Sequence, residues 1–196
     1  MVDAPFTPIG RQDTAAVART LAKAFTDDPI MMWIFGDPAG LEAALHILLP
    51  HLYTPLGASL TDADRTAAAL WVPPGAHGDL SLISTLIFVQ RFLTKGRPRA
   101  VLRGRQTFDK LHALRPKQPH AYLFMVGVDP ALQGKSRGSQ IIRTGIDRLC
   151  TPGVPAYLET STPGLLAYYQ GLGFQITGDI QIAPTAPKIW TLIKEH

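Results

Sequence analysis

The feature that most constrains the fold is an apolar run that passes through a glycine-rich loop into a helix. The run HAYLFMVGV (residues 120–128) is apolar on both faces, which is typical of a central strand. DPALQGKSRG comes next, and residues 139–149 have the pattern of a helix. Such a junction gathers backbone N–H groups at a helix N-terminus, where an anion binds well. From these residues alone, the loop is either an anion site, favoured by Lys135 and Arg137, or a plain tight turn.

The elements around this junction predict the fold class. After it come the strand PAYLETS, a short helix over residues 163–172, and the strands FQITGDIQI and KIWTLIK, which we expect to be antiparallel neighbours. Before it we predict a helix that begins near Asp13 or Thr14, a second that Pro50 should kink, and two short strands around residues 62–64. This order predicts an α/β fold, with a mixed sheet flanked by helices. We expect one domain over residues 1–196, with a helical insertion at roughly 80–115 before the central strand.

Composition excludes several classes of site and location. The single cysteine, Cys150, forms neither a disulfide within the chain nor a zinc cluster, and no other metal-ligand spacing is present. The start MVDAPFTPIGR lacks the basic flank and apolar core of a signal peptide, and LSLISTLIFV is too short to span a bilayer. These features predict a cytoplasmic protein with neither a metal nor a membrane partner.

The charge pattern favours a small anionic ligand over nucleic acid. The net charge is only +4, and the densest group of cations is Lys95, Arg97, Arg99, Arg103 and Arg105. No aromatic residues are interleaved there, so we interpret this group as a solvated helix face and expect no nucleic-acid partner.

The glycine-rich loop and the segments after it resemble a known family. QGKSRG (residues 133–138) resembles the acetyl-coenzyme A loop of the GNAT superfamily of N-acetyltransferases. From LRPKQPHAYLFMVGVDPALQGKSRGS through GVPAYLETSTP to YYQGLGFQITGDIQI, the chain resembles the puromycin N-acetyltransferase branch in particular. A weaker similarity covers VARTLAKAFTDDP near the start.

The resemblance implies a mostly antiparallel GNAT sheet and a site for acetyl-coenzyme A. The pyrophosphate should bind the amides of residues 134–139, and the pantetheine arm should pair with the backbone beside residues 124–128 like an added strand. The implied cofactor contacts are Val126, Gly127, Val128, Gln133, Gly134, Lys135, Ser136, Arg137, Gly138, Ser139 and Thr162.

Two residues are implicated in catalysis. Tyr168 and Tyr169 share one side of a helix, and spacing does not choose between them; the family pattern Tyr-x-x-Leu-Gly-Phe selects Tyr169 as the general acid. Glu159 faces the same side of its strand as Tyr157, and a charged residue is unusual in a central strand, so it is the candidate base, acting directly or through water. The alternative for Glu159 is a surface or salt-bridged carboxylate. His77, His112 and His120 have no motif around them and are expected to be surface or structurally satisfied residues.

Several positions depart from the family pattern, and they keep two functions open. Ser136 replaces a glycine, Thr162 an asparagine, Gly164-Leu165 an Arg-Asn pair, and Gly171 an arginine or lysine. One hypothesis is an acetyl-coenzyme A-dependent transfer to the primary amine of a small molecule, which attacks the thioester directly. The other is a non-catalytic module that binds or senses acyl-coenzyme A on the same fold. Either protein is expected to be a monomer or a homodimer.

Overall fold

A single mixed sheet forms the centre of the protein. The structure, a computed structural model, describes residues 6–76 and 78–196, so the interpretation of His77 lies outside the described residues. The strands are β1 (Thr7–Pro8), β2 (Leu60–Thr61), β3 (Ala67–Val72), β4 (Ala121–Val128), β5 (Ala156–Thr160), β6 (Gln175–Gln181) and β7 (Lys188–Lys194). They form a seven-stranded sheet in the order β1-β2-β3-β4-β5-β7-β6, in which only β4 and β5 are parallel neighbours. The predicted mixed, mostly antiparallel α/β fold is therefore confirmed.

Helices cover both faces of this sheet. They are α1 (Thr14–Ala24), α2 (Pro29–Phe35), α3 (Pro38–Leu48), α4 (Thr54–Leu56), α5 (Leu82–Thr94), α6 (Pro98–Leu114), α7 (Arg137–Leu149) and α8 (Leu166–Gly171). A π-helical segment, Leu49–Tyr53, joins α3 to α4 where Pro50 removes a backbone donor. The helices α5 and α6 occupy the segment predicted as an insertion. No helix among the described residues combines the length and the apolar character needed to cross a membrane.

Aspartate caps and prolines fix where α2 and α3 begin. Asp28 accepts a hydrogen bond of 2.9 Å from the backbone N–H of Met31, and Asp37 accepts one of 2.7 Å from that of Gly40. Each aspartate is followed by a proline, which is well tolerated at the first helical position. The cap of α2 thereby holds Asp28 at a fixed place near the middle of the fold.

The two faces of the sheet carry separate cores. One face packs against α1 and α3, with Leu21 fully buried, and the other packs against α7, with Trp71 and Ile141 fully buried. Gly127 lets β4 approach α1 closely, because a Cβ there would lie only 2.8 Å from the Cβ of Ala24. The strand that carries the predicted cofactor contacts is thus held firmly on its α1 side.

Near its middle, β4 changes how it pairs. Leu70 of β3 pairs with Met125 and Trp71 pairs with Leu123, so Phe124 is an extra residue, a β-bulge. Pairing of β4 with β5 ends at Leu123, whereas pairing of β4 with β3 continues to Val128. The two parallel strands therefore part at the bulge, and beyond it one edge of β4 has no strand partner in the described parts of the chain.

Candidate active site

A cavity of about 570 Å³ lies where β4 and β5 part. It is bounded by the end of β4, the loop after it, the turn between α1 and α2, and the start of the last helix, α8. The predicted site residues that line it are Val126, Gly127, Val128, Gln133, Gly134, Ser136, Arg137, Gly138, Ser139, Thr162 and Tyr169. The fold thus collects nearly every residue implied by the family resemblance around one space.

The loop after β4 has two residues in the left-handed backbone region. Gly134 has φ 79°, and Ser136, the N-cap of α7, has φ 57° and ψ 8°. Glycine adopts this conformation without penalty, whereas a serine there is strained by about 1–2 kcal/mol. The Ser136 side chain makes no capping hydrogen bond, so its hydroxyl is not committed to the helix end. Turns of this kind, when a helix comes directly after them, form a concave nest of N–H groups that suits an anion.

The two cations of the loop have different surroundings. The Arg137 guanidinium donates to a carboxylate oxygen of Asp62 and to the hydroxyl of Thr66, both at 2.9 Å, and so ties α7 to the turn between β2 and β3. Lys135 is exposed and does not line the cavity. Arg137 thus borders the cavity and links α7 to the β2–β3 turn, while Lys135 adds only long-range positive potential.

Other loop contacts keep the mouth of the cavity in shape. The side-chain amide of Gln133 donates to the carbonyl of Val128 at 3.1 Å, closing the loop back onto β4. The hydroxyl of Tyr168 lies 3.5 Å from Ser139 Oγ, a weak contact, and a Cβ at Gly138 would come within 3.2 Å of that same hydroxyl. Gly138 therefore leaves room for Tyr168 beside the loop.

Tyr169 is the buried tyrosine of the pair, and Tyr168 is partly exposed. Tyr169 packs edge-on against Tyr168 and Phe174, with ring centroids 5.3 and 6.0 Å apart. It lines the cavity, and burial is the main reason that the pKa of its phenol is raised above the ordinary value. A phenol with a raised pKa stays protonated at neutral pH, as a general acid must before it donates its proton.

Asp28 is a cavity residue that the sequence analysis did not single out. Its carboxylate accepts from the hydroxyls of Ser161 and Thr162 at 3.3 and 3.4 Å, in addition to capping α2. Thr162 is the N-cap residue of the short 3-10 turn Pro163–Leu165, but its side chain makes no capping hydrogen bond there. Burial raises the pKa of Asp28, and the nearby Asp28 charge contributes to the raised pKa of Tyr169. A carboxylate and a phenol thus share this cavity.

Glu159 lies elsewhere. Its side chain is only 6% exposed, does not line the cavity, and belongs to the sheet face that also carries Tyr157 and Tyr122. The nearest cation is Arg115, whose Nε is 3.8 Å from Glu159 Oε1, too far for a hydrogen bond, and whose guanidinium stacks 3.9 Å from the centre of the Tyr122 ring. Burial raises the pKa of Glu159, and the Arg115 charge opposes this shift.

The polar atoms around Glu159 are poorly satisfied. Glu159 Oε1, Arg115 Nε and the Tyr157 hydroxyl are all buried without a hydrogen-bond partner in the described chain. Such a cluster is a natural position for a bridging water. The expectation that Tyr157 and Glu159 face the same way agrees with the structure, but the structure does not bring Glu159 and Tyr169 into one cavity.

The remaining residues with potential chemistry lie apart from the cavity. Cys150 is buried, and burial raises the pKa of its thiol to about 11, which leaves it unreactive at neutral pH. His120 packs edge-on against Tyr157 and contacts the carbonyl of Gln118. No group of three metal-ligating side chains occurs within residues 6–76 and 78–196.

The cavity fits the donor that the sequence implied. Its nest of loop amides suits a pyrophosphate, and the unpaired edge of β4 offers backbone groups to an extended, amide-containing arm.

The fold is that of the N-acetyltransferases, as comparison with solved structures shows. A histone acetyltransferase HPA2 and related acetyltransferase from Corynebacterium glutamicum is similar at a TM-score of 0.67 with 21% identity, covering 97% of this chain and 94% of that one. Arylalkylamine N-acetyltransferase 2 from Aedes aegypti is similar at a TM-score of 0.62 with 16% identity, covering 97% of each chain.

Sequence comparison gives the family. The sequence model described as the acetyltransferase (GNAT) family matches residues 69–174, which is more than half of the chain. The protein therefore belongs to the acetyltransferase (GNAT) family. A local match to a mycothiol acetyltransferase from Nocardioides sp. has 37% identity over 60 residues, 29% of this chain. That match spans only 20% of the curated relative.

Proposed function

We propose that this protein transfers the acetyl group of acetyl-coenzyme A to the primary amine of a small molecule. The observation that carries the proposal is the cavity at the parting of β4 and β5, which gathers a phosphate-type loop, a free strand edge, a buried tyrosine and a carboxylate. Membership of the family supports acetyl transfer. The narrower likeness to the puromycin N-acetyltransferases rests on the quoted sequence, and we include it without assigning puromycin as the acceptor.

The loop and the strand edge would hold the donor. The N–H groups of residues 134–139 would bind the pyrophosphate, and the backbone near Val126 and Val128 would pair with the pantetheine arm. Acetyl-coenzyme A supplies an activated acetyl group as a thioester. A donor held along β4 would share the cavity with Tyr169, and binding it there would convert the reaction with the amine into one between fixed partners.

Tyr169 is the proposed general acid. Tyr169 lines the cavity, its hydroxyl forms no hydrogen bond among the described residues, and that hydroxyl is protonated at neutral pH because its pKa is raised. A proton held there is available to the leaving thiolate when the amine attacks the carbonyl carbon. The Asp28 carboxylate in the same cavity raises the pKa of this phenol further and so keeps the proton in place.

Two carboxylates are candidates for the base that keeps the acceptor amine neutral. Glu159, proposed from the sequence, is buried outside the cavity and would act through water, for which its unpartnered oxygen offers one hydrogen bond. Asp28 lines the cavity and would act directly. The geometry favours Asp28, because a base must come within hydrogen-bond reach of the amine, directly or through one water.

Conservative substitutions separate the two candidates. Asn caps a helix as well as Asp does, so Asp28→Asn removes the charge and keeps the start of α2. If Asp28 is the base, Asp28→Asn lowers kcat/KM by about 100-fold or more and removes the acidic limb of its pH profile. That limb should lie above the ordinary range of an aspartate, since the pKa of Asp28 is raised. Glu159→Gln should then keep the limb; loss of the limb in Glu159→Gln alone would assign the base to Glu159.

The enzyme itself is tested by an amine-library screen that measures thiol release. Free coenzyme A should appear only when a suitable amine is added, and the acetylated amine should form in equal amount. Calorimetry with acetyl-coenzyme A separates the failure modes. Binding without thiol release across a broad amine panel would establish the non-catalytic binding module instead, and no binding at millimolar donor would overturn both functions.

The same proposal covers the organisation of the chain. We propose that residues 1–196 act as one domain, that α5 and α6 contribute to the acceptor side, and that the protein works in the cytoplasm as a monomer or homodimer. The acceptor-shaping role of α5 and α6 is supported by their position: α6 packs against α2, whose N-cap Asp28 lines the cavity, and α5 packs against α6.

A further inference from the structure

The outer face of α5 is apolar and faces solvent. Leu82 is 85% exposed, Ile83 73% and Leu86 68%. Together with the exposed Ile87 and Leu93, these side chains form what we call the outer α5 face. The helix instead buries Ser84 and Phe92. An ordinary surface helix turns its polar side chains outward, so an exposed apolar face in addition to the buried Phe92 indicates an interaction surface.

Between Asp79 and Asp109, the segment around this face carries only positive charge. Residues 80–108 contain no Asp or Glu, and their cations are Arg91, Lys95, Arg97, Arg99, Arg103 and Arg105. Three of these are engaged within the protein: Arg97 pairs with Asp37, Arg103 donates to the carbonyl of Trp33, and Arg105 pairs with Asp109. The others, Arg91, Lys95 and Arg99, form no ion pair within the described ranges.

A second cavity lies beside these free cations. It has a volume of about 340 Å³, between the start of α3 and the end of α5, and Arg91, Lys95, Arg97 and the ring of Phe92 line it. Two cations without acidic partners and an aromatic ring suit a phosphate group attached to an apolar body. The cavity and the outer α5 face are built on the same helix.

We propose that α5, with the adjoining turn and the start of α6, docks on the surface of a bilayer that contains anionic lipid. The exposed Leu and Ile side chains would enter the boundary between headgroups and acyl chains, as those of an interfacial helix do. Arg91 and Lys95, at the border of the outer α5 face and the end of the helix, would bind lipid phosphates. This proposal replaces our expectation of no membrane partner, which was argued from the lack of a spanning segment; a helix that lies on a surface needs no spanning length.

Charge decides against two other occupants. A second copy docked through the same face would cover the apolar side chains but would leave Arg91 and Lys95 without acidic partners, because residues 80–108 supply no carboxylate. Nucleic acid would satisfy the cations but would leave the outer α5 face in water. An anionic lipid surface matches the charge and the apolar side chains at once.

Vesicle co-sedimentation of the whole protein tests the proposal. The vesicles contain phosphatidylcholine with or without phosphatidylglycerol, and binding is measured at low and at high salt. We expect binding only with phosphatidylglycerol, weakened by salt. Each cation removed should lower partitioning about fivefold, so Arg91→Gln with Lys95→Gln should lower it about 25-fold. Leu82→Ser with Leu86→Ser should lower it about tenfold or more, because the lost apolar side chains no longer enter the boundary.

Matched controls lie on other surfaces. Ile176 is an exposed apolar residue on the edge strand β6, and Lys117 and Arg143 are exposed cations outside the segment. Ile176→Ser and the double variant Lys117→Gln with Arg143→Gln should leave partitioning within about twofold of the wild type. All of these positions are exposed, and circular dichroism confirms that each variant is folded.

Several outcomes would contradict the proposal that α5 docks on a membrane. Equal binding to both vesicle types, binding to neither, or loss of binding in the controls would overturn the proposal. A dimer in analytical ultracentrifugation that Leu82→Ser with Leu86→Ser dissociates, with no vesicle binding, would assign the outer α5 face to a second copy. These outcomes do not depend on acetyl transfer, so they are distinguishable from failure of the proposed function.

Discussion

Replacing Ser136 by glycine should stabilise the protein. The left-handed backbone at φ 57° penalises a residue with a Cβ by about 1–2 kcal/mol, and glycine removes this penalty. Glycine also makes the unfolded chain more flexible, which costs about 0.4–1 kcal/mol. No capping hydrogen bond is lost, because the Ser136 side chain makes none. The net gain should be about 0.5–1 kcal/mol in the free energy of unfolding, or a Tm increase of roughly 1–4 °C.

Ser136→Ala is the matched control, because alanine keeps the Cβ and lacks the hydroxyl. Denaturant unfolding should place Ser136→Ala near the wild type and Ser136→Gly above both. Calorimetry with coenzyme A then tests the hydroxyl, which borders the cavity without a capping role. If it donates to a phosphate oxygen, both variants should bind about tenfold more weakly.

Two results would refute this reasoning. A Ser136→Gly variant no more stable than Ser136→Ala would show that the backbone there is not strained. Tighter binding of coenzyme A by Ser136→Gly than by the wild type, with Ser136→Ala equal to the wild type, would show that the Cβ obstructs the loop and that the hydroxyl contributes nothing.

Three other substitutions test the packing at Gly127, the hydrogen bonds of Arg137 and the acid role of Tyr169. Gly127→Ala places a methyl group against α1 and should lower the free energy of unfolding by about 1–3 kcal/mol, measured by denaturant unfolding. Gly164→Ala is the control and should not destabilise the protein, because a Cβ there meets nothing within 4 Å. Equal effects of the two substitutions would contradict the close packing of Gly127. Arg137→Gln should lower the free energy of unfolding by about 0.5–1.5 kcal/mol through its lost bonds to the β2–β3 turn, while Arg143→Gln on the same helix should change it by less than about 0.5 kcal/mol. Tyr169→Phe should lower kcat by about 100-fold or more with coenzyme A affinity nearly unchanged, and equal loss of both would argue against the acid role.

The local patterns along the chain were enough to predict the elements that border the candidate site. The apolar run before QGKSRG indicated a central strand, and the turn residues after it indicated a helix start, because both signals depend on neighbouring residues. The pairing of the last two strands agreed with their order and short connection. Ser136 stood out in the sequence as a serine where glycine is usual, and its left-handed backbone gives that departure a physical meaning.

Features that depend on distant contacts were not predictable in the same way. The bulge at Phe124 shifts the alternation of β4, so the residues after it face the opposite side of the sheet from the one that a regular strand would give them. The sequence of β4 contains no signal that predicts this bulge. Asp28 could be interpreted only as a helix stop and cap, since its contacts with Ser161 and Thr162 join segments more than 130 residues apart. The two-residue period of a strand placed Glu159 on the same side as Tyr157, but it did not show which side faces the cavity. A capping aspartate becomes a candidate for chemistry only when the fold shows that it also faces a cleft.

Because β4 and β5 part, the backbone N–H groups of β4 are least protected from exchange with solvent in the half of the strand that would pair with the donor. Beyond Phe124, the amide groups that point away from β3 have no strand to bond, so their hydrogens should exchange with solvent far faster than those of the paired half. A donor arm lying along this edge would supply the missing partners and slow that exchange. Binding would then complete the sheet, and the protein should melt at a temperature that rises with the logarithm of donor concentration. The ligand would act in this respect as a removable strand of the fold.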